Sequence, residues 1–401
     1  MSQSTESDAR TNVFRSAAAK LKGADHESKN VLVGFDGFID EIIHVVEERQ
    51  SADSYTRVET ISDFAAKIGA AAGLSTNMEF FPIQVKLGGN GPILAHALNL
   101  ACNGNNKITY IGALGERSPT LGHRTVEPIF ADFAASCERV ITMGAPGTAQ
   151  ALEFDDGKII CGKTSMLDAI NWQSLTHLVN RKELSEIVAS LSLLCFTNWT
   201  ELPNFNSLLI GFNEVLYDTG HRPGVFIDLA DPARRPFEEI REVCSLIERL
   251  QENADVILGL NESESRQIAA VYDIDTESTK ALDLLITERA SKIQKKSGLT
   301  AVVIHPVAGA AVATTESDAR TELGSWWIDG PYTPKPVLTT GAGDNFNAGF
   351  CTGYLSGLDW EECLCSGVCT SGFYVRNGRS PNRAELVSFM EEHGSSPSIV
   401  G

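Results

Sequence analysis

Short apolar runs recur along this chain, each the length of a strand, with residues at helical spacing between many of them. They read NVLVGF (30–35), KITYIG (107–112), RVITMG (139–144), LSLLCF (191–196), GVFIDL (224–229), ADVILGL (254–260) and TAVVIH (300–305). A strand that is apolar at every position has both faces covered, which is the condition of a parallel sheet sandwiched between helices. Helical segments fall between them: 57–72 with Val58, Ile61, Phe64, Ala65 and Ile68, a small-residue stretch at 91–102, and others near 125–136, 202–216, 237–250 and 262–296. The alternation predicts an α/β fold with a mostly parallel sheet.

Three segments break the rhythm: 36–47, 78–89 and 148–164. The last is a hairpin on its face, because Asp156-Gly157 is a strong turn dipeptide between two extended runs. Together they predict a small β layer projecting from the main sheet. No repeat, low-complexity tract or long linker divides the chain, so 30–392 is expected to fold as one unit. A polar lead-in over 1–29 precedes it and a tail over 393–401 follows.

The chain has 401 residues, 43% of them hydrophobic, enough to bury a large core. Acidic residues outnumber basic ones by 52 to 33, and a net charge of −19 repels nucleic-acid backbones and anionic membranes. Neither a nucleic acid nor a membrane is expected as a partner, since no run reaches the ~18 apolar residues of a span. Nine scattered cysteines and a polar, acidic start predict a reducing, cytoplasmic setting. Cys363, Cys365 and Cys369 are closely spaced, but the first two point to different faces of a helix and no CxxC accompanies them. Buried packing thiols are the expectation there. His44, His96 and His305 have neither metal-ligand nor triad spacing and are expected to be structural.

Two glycine-rich stretches compete as phosphate sites. GKIICGKT (157–164) fits the pattern GxxxxGK[ST] letter for letter. Its interior nevertheless contains Ile159 and Ile160, β-branched residues that favour extended backbone, and its first glycine belongs to the Asp-Gly turn. Strand, turn and strand replaces the strand, loop and helix that a phosphate loop needs. Lys163 keeps a separate option as a lid cation, beside the plainer one of a solvated lysine.

The second stretch, TTGAGDNFNAGF (339–350), passes from extended chain through Gly341, Ala342 and Gly343 into a helix. Free amides and the helix dipole converge at such a start, which favours an anion. Asp344 has two roles open to it: capping the helix, or accepting the proton of an attacking hydroxyl beside a phosphoryl group. Asn261 and Glu264 likewise have a local role available, as cap and third residue of the following helix. Asp36 and Asp40 fit a solvated turn as well as a binding site.

TTGAGDNFNAGF closely resembles the C-terminal motif of the ribokinase-like (PfkB) carbohydrate kinase family. The resemblance extends over about 31–392, through GGNGPILAHALNLA (88–101) and LNESE (260–264), which is similar to the family's Asn-x-x-Glu element. It implies a doubly wound sheet with helices on both faces and a β lid over the substrate. It also implies transfer of the ATP γ-phosphoryl to a hydroxymethyl group of a sugar or sugar-like molecule. On matching positions, Asp344 would be the base and the backbone of Gly341, Ala342 and Gly343 the anion hole. Asn261 and Glu264 would hold Mg2+ and phosphate through water, with Gly309 and Thr340 also on the nucleotide. Asp36, Asp40, Gly88, Gly89 and Asn90 would line the sugar. The resemblance further allows a monovalent cation such as K+ beside the turn and a homodimer through the lid edge.

Four positions depart from the family pattern: Leu338 for an aspartate, Ile93 for an asparagine, Arg117 where acid is common, and Pro306 for a glycine. They surround the substrate and nucleotide pockets and leave the transfer centre intact. Arg117 and Lys163 could serve a second charged group on the substrate. A nucleoside kinase, or a sensor that binds without transfer, remain the competing readings.

Overall fold

A computed structural model describes residues 3–23, 28–116, 124–276, 279–315 and 324–394. Its strands are β1 (Asn30–Phe35), β2 (Phe38–Arg49), β3 (Tyr55–Arg57), β4 (Phe80–Gly88), β5 (Lys107–Gly112), β6 (Arg139–Thr142), β7 (Gly147–Phe154), β8 (Gly157–Lys163), β9 (Leu193–Thr197), β10 (Gly224–Asp228), β11 (Asp255–Leu260), β12 (Ala301–Ile304), β13 (Gly309–Thr314) and β14 (Ser325–Asp329). The main sheet runs β14-β13-β12-β11-β10-β9-β1-β5-β6. From β6 to β12 every pairing is parallel, and β13 and β14 close the edge antiparallel.

The helices are α1 (Gln3–Gly23), α2 (Ile61–Ala70), α3 (Asn90–Ala101), α4 (Ala131–Ser136), α5 (Trp172–Leu178), α6 (Arg181–Ala189), α7 (Phe205–Thr219), α8 (Phe237–Leu250), α9 (Glu262–Val271), α10 (Leu282–Ser297), α11 (Ala342–Leu355), α12 (Trp360–Asn377) and α13 (Arg383–Gly394). Successive strand residues alternate between two cores. Leu32, Leu194, Phe196, Val225 and Leu258 pack under α5 to α10, and Val31, Val33, Cys195, Phe226 and Ile257 pack under α1, α3, α4 and α11 to α13. Continuous apolar strands are thus explained by helices on both faces. No helix among the described residues is long and apolar enough to cross a membrane.

The three segments that broke the rhythm form a second sheet, β3-β2-β7-β8, with β4 on the other pairing of β2. This lid has its own small core of Ile43, Val45, Val58, Phe64, Leu152 and Phe154. Phe64 lies on α2, so the helix expected over 57–72 packs on the lid and not on the main sheet. GKIICGK is β8, paired antiparallel with β7, which disposes of the first phosphate-loop candidate.

Other expectations need correction. The segment read as a polar lead-in contains α1, whose Phe14, Ala17, Ala18 and Leu21 are fully buried. Their i, i+3, i+4, i+7 spacing is a narrow apolar stripe, and the surrounding charged residues hid it. Ser16 and Lys20 bond Glu362 on α12, each at 2.7 Å. The helix expected over 262–296 is two, α9 and α10, and β13, β14, α5 and α6 were not anticipated. Of the tail at 393–401, residues 393 and 394 end α13, and the remainder lies outside the described residues. Cys363, Cys365 and Cys369 are buried in α12, and no three His, Cys, Asp or Glu side chains are grouped to hold a metal ion directly among the described residues.

Candidate active site

Parallel strands deliver their carboxyl ends to one side of the sheet. Asp36 follows β1, Asn198 follows β9, Asp228 ends β10, Asn261 follows β11 and His305 follows β12. The chain leaves β1 toward β5 on one side and returns toward β9 on the other, so a crevice opens at this reversal. The lid rises from the same edge, because β2 begins just after Asp36.

Asp36 is 0% exposed, and its carboxylate accepts the amides of Asn90 and Gly91 at 2.8 Å each and the Asn198 Nδ2 at 2.7 Å. It holds the start of α3, and as a direct sugar contact it has no exposed surface to offer. Gly89 needs its φ of +98° to make this turn, and a Cβ there would lie 3.1 Å from an Asp36 carboxyl oxygen. What the turn presents is the Asn90 side chain, whose Nδ2 donates to Asp344 Oδ1 at 2.8 Å.

Asp344 sits in the first turn of α11, behind Gly341 at φ +91°. The Ala342 amide is occupied by the Thr339 carbonyl at 3.1 Å. Among the described residues the Gly343 and Asp344 amides meet no carbonyl, so the free donors lie one residue further along than Gly341 to Gly343. Asp344 is the third residue of α11, and its carboxylate accepts the Asn90 side chain. Ile93 packs beneath this turn, 3.5 Å from where a Gly341 Cβ would be.

Asn261 and Glu264 form a complete capping box on α9. Glu264 accepts the amides of Asn261 at 2.7 Å and Asp231 at 2.9 Å, one on each oxygen. The local role is therefore realised, and what remains of Glu264 for a metal is its unused lone pairs.

Asp228 was missed in the sequence, where it reads as the one charged residue of the apolar run GVFIDL (224–229). Its carboxylate accepts Ala230 N at 2.9 Å and Asn347 Nδ2 at 2.6 Å. Burial and the nearby Glu264 push Asp228 up to about 7. Burial lifts Asp36 to about 6 against its three donors. Asp344 is raised well above the carboxylate range by burial and by Asp228, with Asn90 opposing. Glu264 and Asp40 are raised by burial as well. Several acids share one desolvated corner, an arrangement that a bound cation would relieve.

The lid contributes Asp40, opposite Lys86 in the β2–β4 register, with Gly88 so close that a Cβ would fall 2.1 Å from the Asp40 carboxylate. Lys86 and Lys158 both favour its ionised form. Lys158 Nζ donates to Thr340 Oγ1, joining lid to glycine turn; nothing in its local sequence marked it. Lys163 is exposed.

Next to the turn lies a cavity of about 380 Å³ lined by Asn261, His305, Pro306, Gly309, Ala342 and Gly343, of a size for a small molecule. Thr339 lines it; Thr340, turned to Lys158, does not. His305 stacks on Phe346 at 4.5 Å between ring centres, and burial lowers it to about 4, a neutral wall of the cavity. A Gly309 Cβ would strike the Ile328 carbonyl at 2.4 Å, so that glycine also serves strand packing. Leu338 is half-buried outside the lining, His44 bonds Tyr55 at 3.0 Å, and His96 is exposed on α3. Arg117 lies outside the described residues.

The chain resembles ketohexokinase of Haloferax volcanii, 28% identical over 368 residues that cover 90% of each protein. Its fold is similar to that of Arabidopsis thaliana ribokinase complexed with ribose and ATP, at a TM-score of 0.59 and 17% identity, over 91% of this chain and 99% of that one. Adenosine kinase from Sinorhizobium meliloti is similar at 0.58 and 15% identity, over 92% and 100%. The family model for prokaryotic ketohexokinase matches residues 7–393, taking in most of α1. The chain is therefore a phosphotransferase with an alcohol acceptor, and it belongs to the prokaryotic ketohexokinase family of ribokinase-like (PfkB) carbohydrate kinases.

Proposed function

We propose that this protein transfers the γ-phosphoryl group of ATP to a primary hydroxyl of a ketohexose. The observation that carries the reading is the corner where Asp344, held by Asn90, lies beside free helix-start amides, with the neighbouring Gly343 lining the 380 Å³ cavity. The cavity would take the nucleotide, with Gly309 and Thr339 in its wall and Thr340 beside the turn, bonded to Lys158. The sugar would lie between the glycine turn and the lid, contacted by Asp40, Asn90 and the backbone of Gly88 and Gly89. Neutral hydroxyls offer only hydrogen bonds, which carboxylate and amide groups can supply.

Asp344 takes the proton of the attacking hydroxyl, and the Gly343 and Asp344 amides receive charge on the phosphoryl oxygens. Its raised affinity for a proton suits acceptance from an alcohol. Mg2+ fits the donor set of Glu264, Asn261 and the crowded Asp228, through water, and would supply charge neutralisation between the phosphates. The rest of the site orients: Asp36 fixes the Asn90 turn, and Asn90 fixes the base.

The deciding experiment is ADP release with MgATP across ketohexoses, aldohexoses, pentoses and nucleosides, in K+ and in Na+. Turnover confined to nucleosides, or Asp344→Asn with undiminished turnover, would refute the assignment. Phe80, Ile83 and Val85 on β4 and Ile160 on β8 are exposed apolar residues, and the lid is the surface through which a homodimer would form; light scattering tests it. The nine cysteines stand as thiols, which fits a reducing, cytoplasmic setting.

A further inference from the structure

Lys158 is a half-buried cation with no ion pair among the described residues; its hydrogen bond goes to the hydroxyl of Thr340. Desolvating an ammonium without a counter-charge is unfavourable unless a ligand completes the site. The groups that face it are Glu153, its cross-strand partner, and Asp40, opposed by Lys86. None neutralises it by contact. Its bond lands on the glycine turn itself, 182 residues away in sequence, next to the residues whose amides are free.

We propose that Lys158 is a catalytic lid cation: its ammonium exchanges the Thr340 hydroxyl for an oxygen of the phosphoryl group in transit, an inference that rests on the kinase reading above. Lys158 keeps its protons throughout. The bond from the sugar oxygen to phosphorus forms, the bond from phosphorus to the bridging oxygen breaks, ADP leaves with that electron pair, and the sugar proton goes to Asp344. Lys158 adds a charge that meets the reaction when the lid is in place, and so ties transfer to closure over the sugar.

The substitution Lys158→Met in the full-length protein tests this. Turnover should fall about 100-fold, with KM for sugar and MgATP within about threefold of the parent and an unchanged thermal midpoint. Lys158→Arg should recover part of kcat, because the charge is kept. A second measurement does not depend on the sugar: in calorimetric titrations, aluminium fluoride, a planar mimic of the moving phosphoryl, should tighten MgADP binding to the parent and not to Lys158→Met. Equal tightening in both proteins, no tightening in the parent, or a loss confined to KM would overturn the role. Loss of tightening in the variant, in a protein that phosphorylates no ketohexose, would uphold Lys158 while rejecting the acceptor.

Discussion

Asn90 and Asp344 are 254 residues apart and meet through one hydrogen bond of 2.8 Å. One begins the helix after the lid strand β4, and the other lies in the first turn of the helix after the glycine turn. The bond fixes the Asp344 carboxyl relative to the Gly88-Gly89-Asn90 turn, so in the proposed reaction the sugar wall and the base would be set by the same contact.

Replacing the base is the most direct trial. Asp344→Asn should lower kcat by about 10²–10⁴-fold, the range of general base catalysis, while MgATP binding measured by calorimetry persists.

Asn90→Ala removes a donor that favours the ionised form of Asp344. The base then holds its proton more tightly, so the acid limb of the pH–kcat profile should move to higher pH. At its optimum kcat should fall by about 10 to 100-fold, as for a lost hydrogen bond to a charged group.

Gly343→Ala should separate stability from function. A Cβ there meets only His305 Cε1 at 3.6 Å, and alanine is the better helix former by about 1 kcal/mol. The thermal midpoint should rise while KM for ATP worsens, because the methyl projects beside the anion-receiving amide. Gly341→Ala should lose both, since its φ of +91° is strained for alanine and the Cβ would lie 2.9 Å from the Tyr374 hydroxyl.

Stability in the absence of Mg2+ and nucleotide should fall from pH 5 to about 7.5. Asp36 is raised to about 6 and Asp228 to about 7, so both bind protons more tightly folded than unfolded. Their contribution is complete below the ordinary carboxylate value near 4 and is lost as pH rises through 6 and 7. Urea midpoints across this window should show the decline, and Asp228→Asn should flatten it.

Phe14→Ala probes the unexpected first helix. The ring is fully buried and stands edge-on to His393, 5.1 Å between centres. Truncation should cost about 3–5 kcal/mol, read from denaturant unfolding.

By itself the sequence determined the α/β class, because strands apolar at every position and helical spacing between them are local signals with one common solution. It also determined the turn into α11: glycines that permit it, followed at once by an acid and a helix, are written within a dozen residues. The Asp-Gly turn and paired isoleucines showed equally locally that the rival motif was a strand. Only the tertiary structure decided how each acid is placed. Asp36 and Asp40 are four positions apart on similar ground, yet one is sealed under α3 and the other stands in the lid. Asp228 and Lys158 carried no local mark, since their surroundings arise from the sheet reversal and from the lid folding back onto the glycine turn. Local sequence biases backbone angles and one-sided burial, whereas desolvation and charge proximity depend on partners brought from hundreds of residues away.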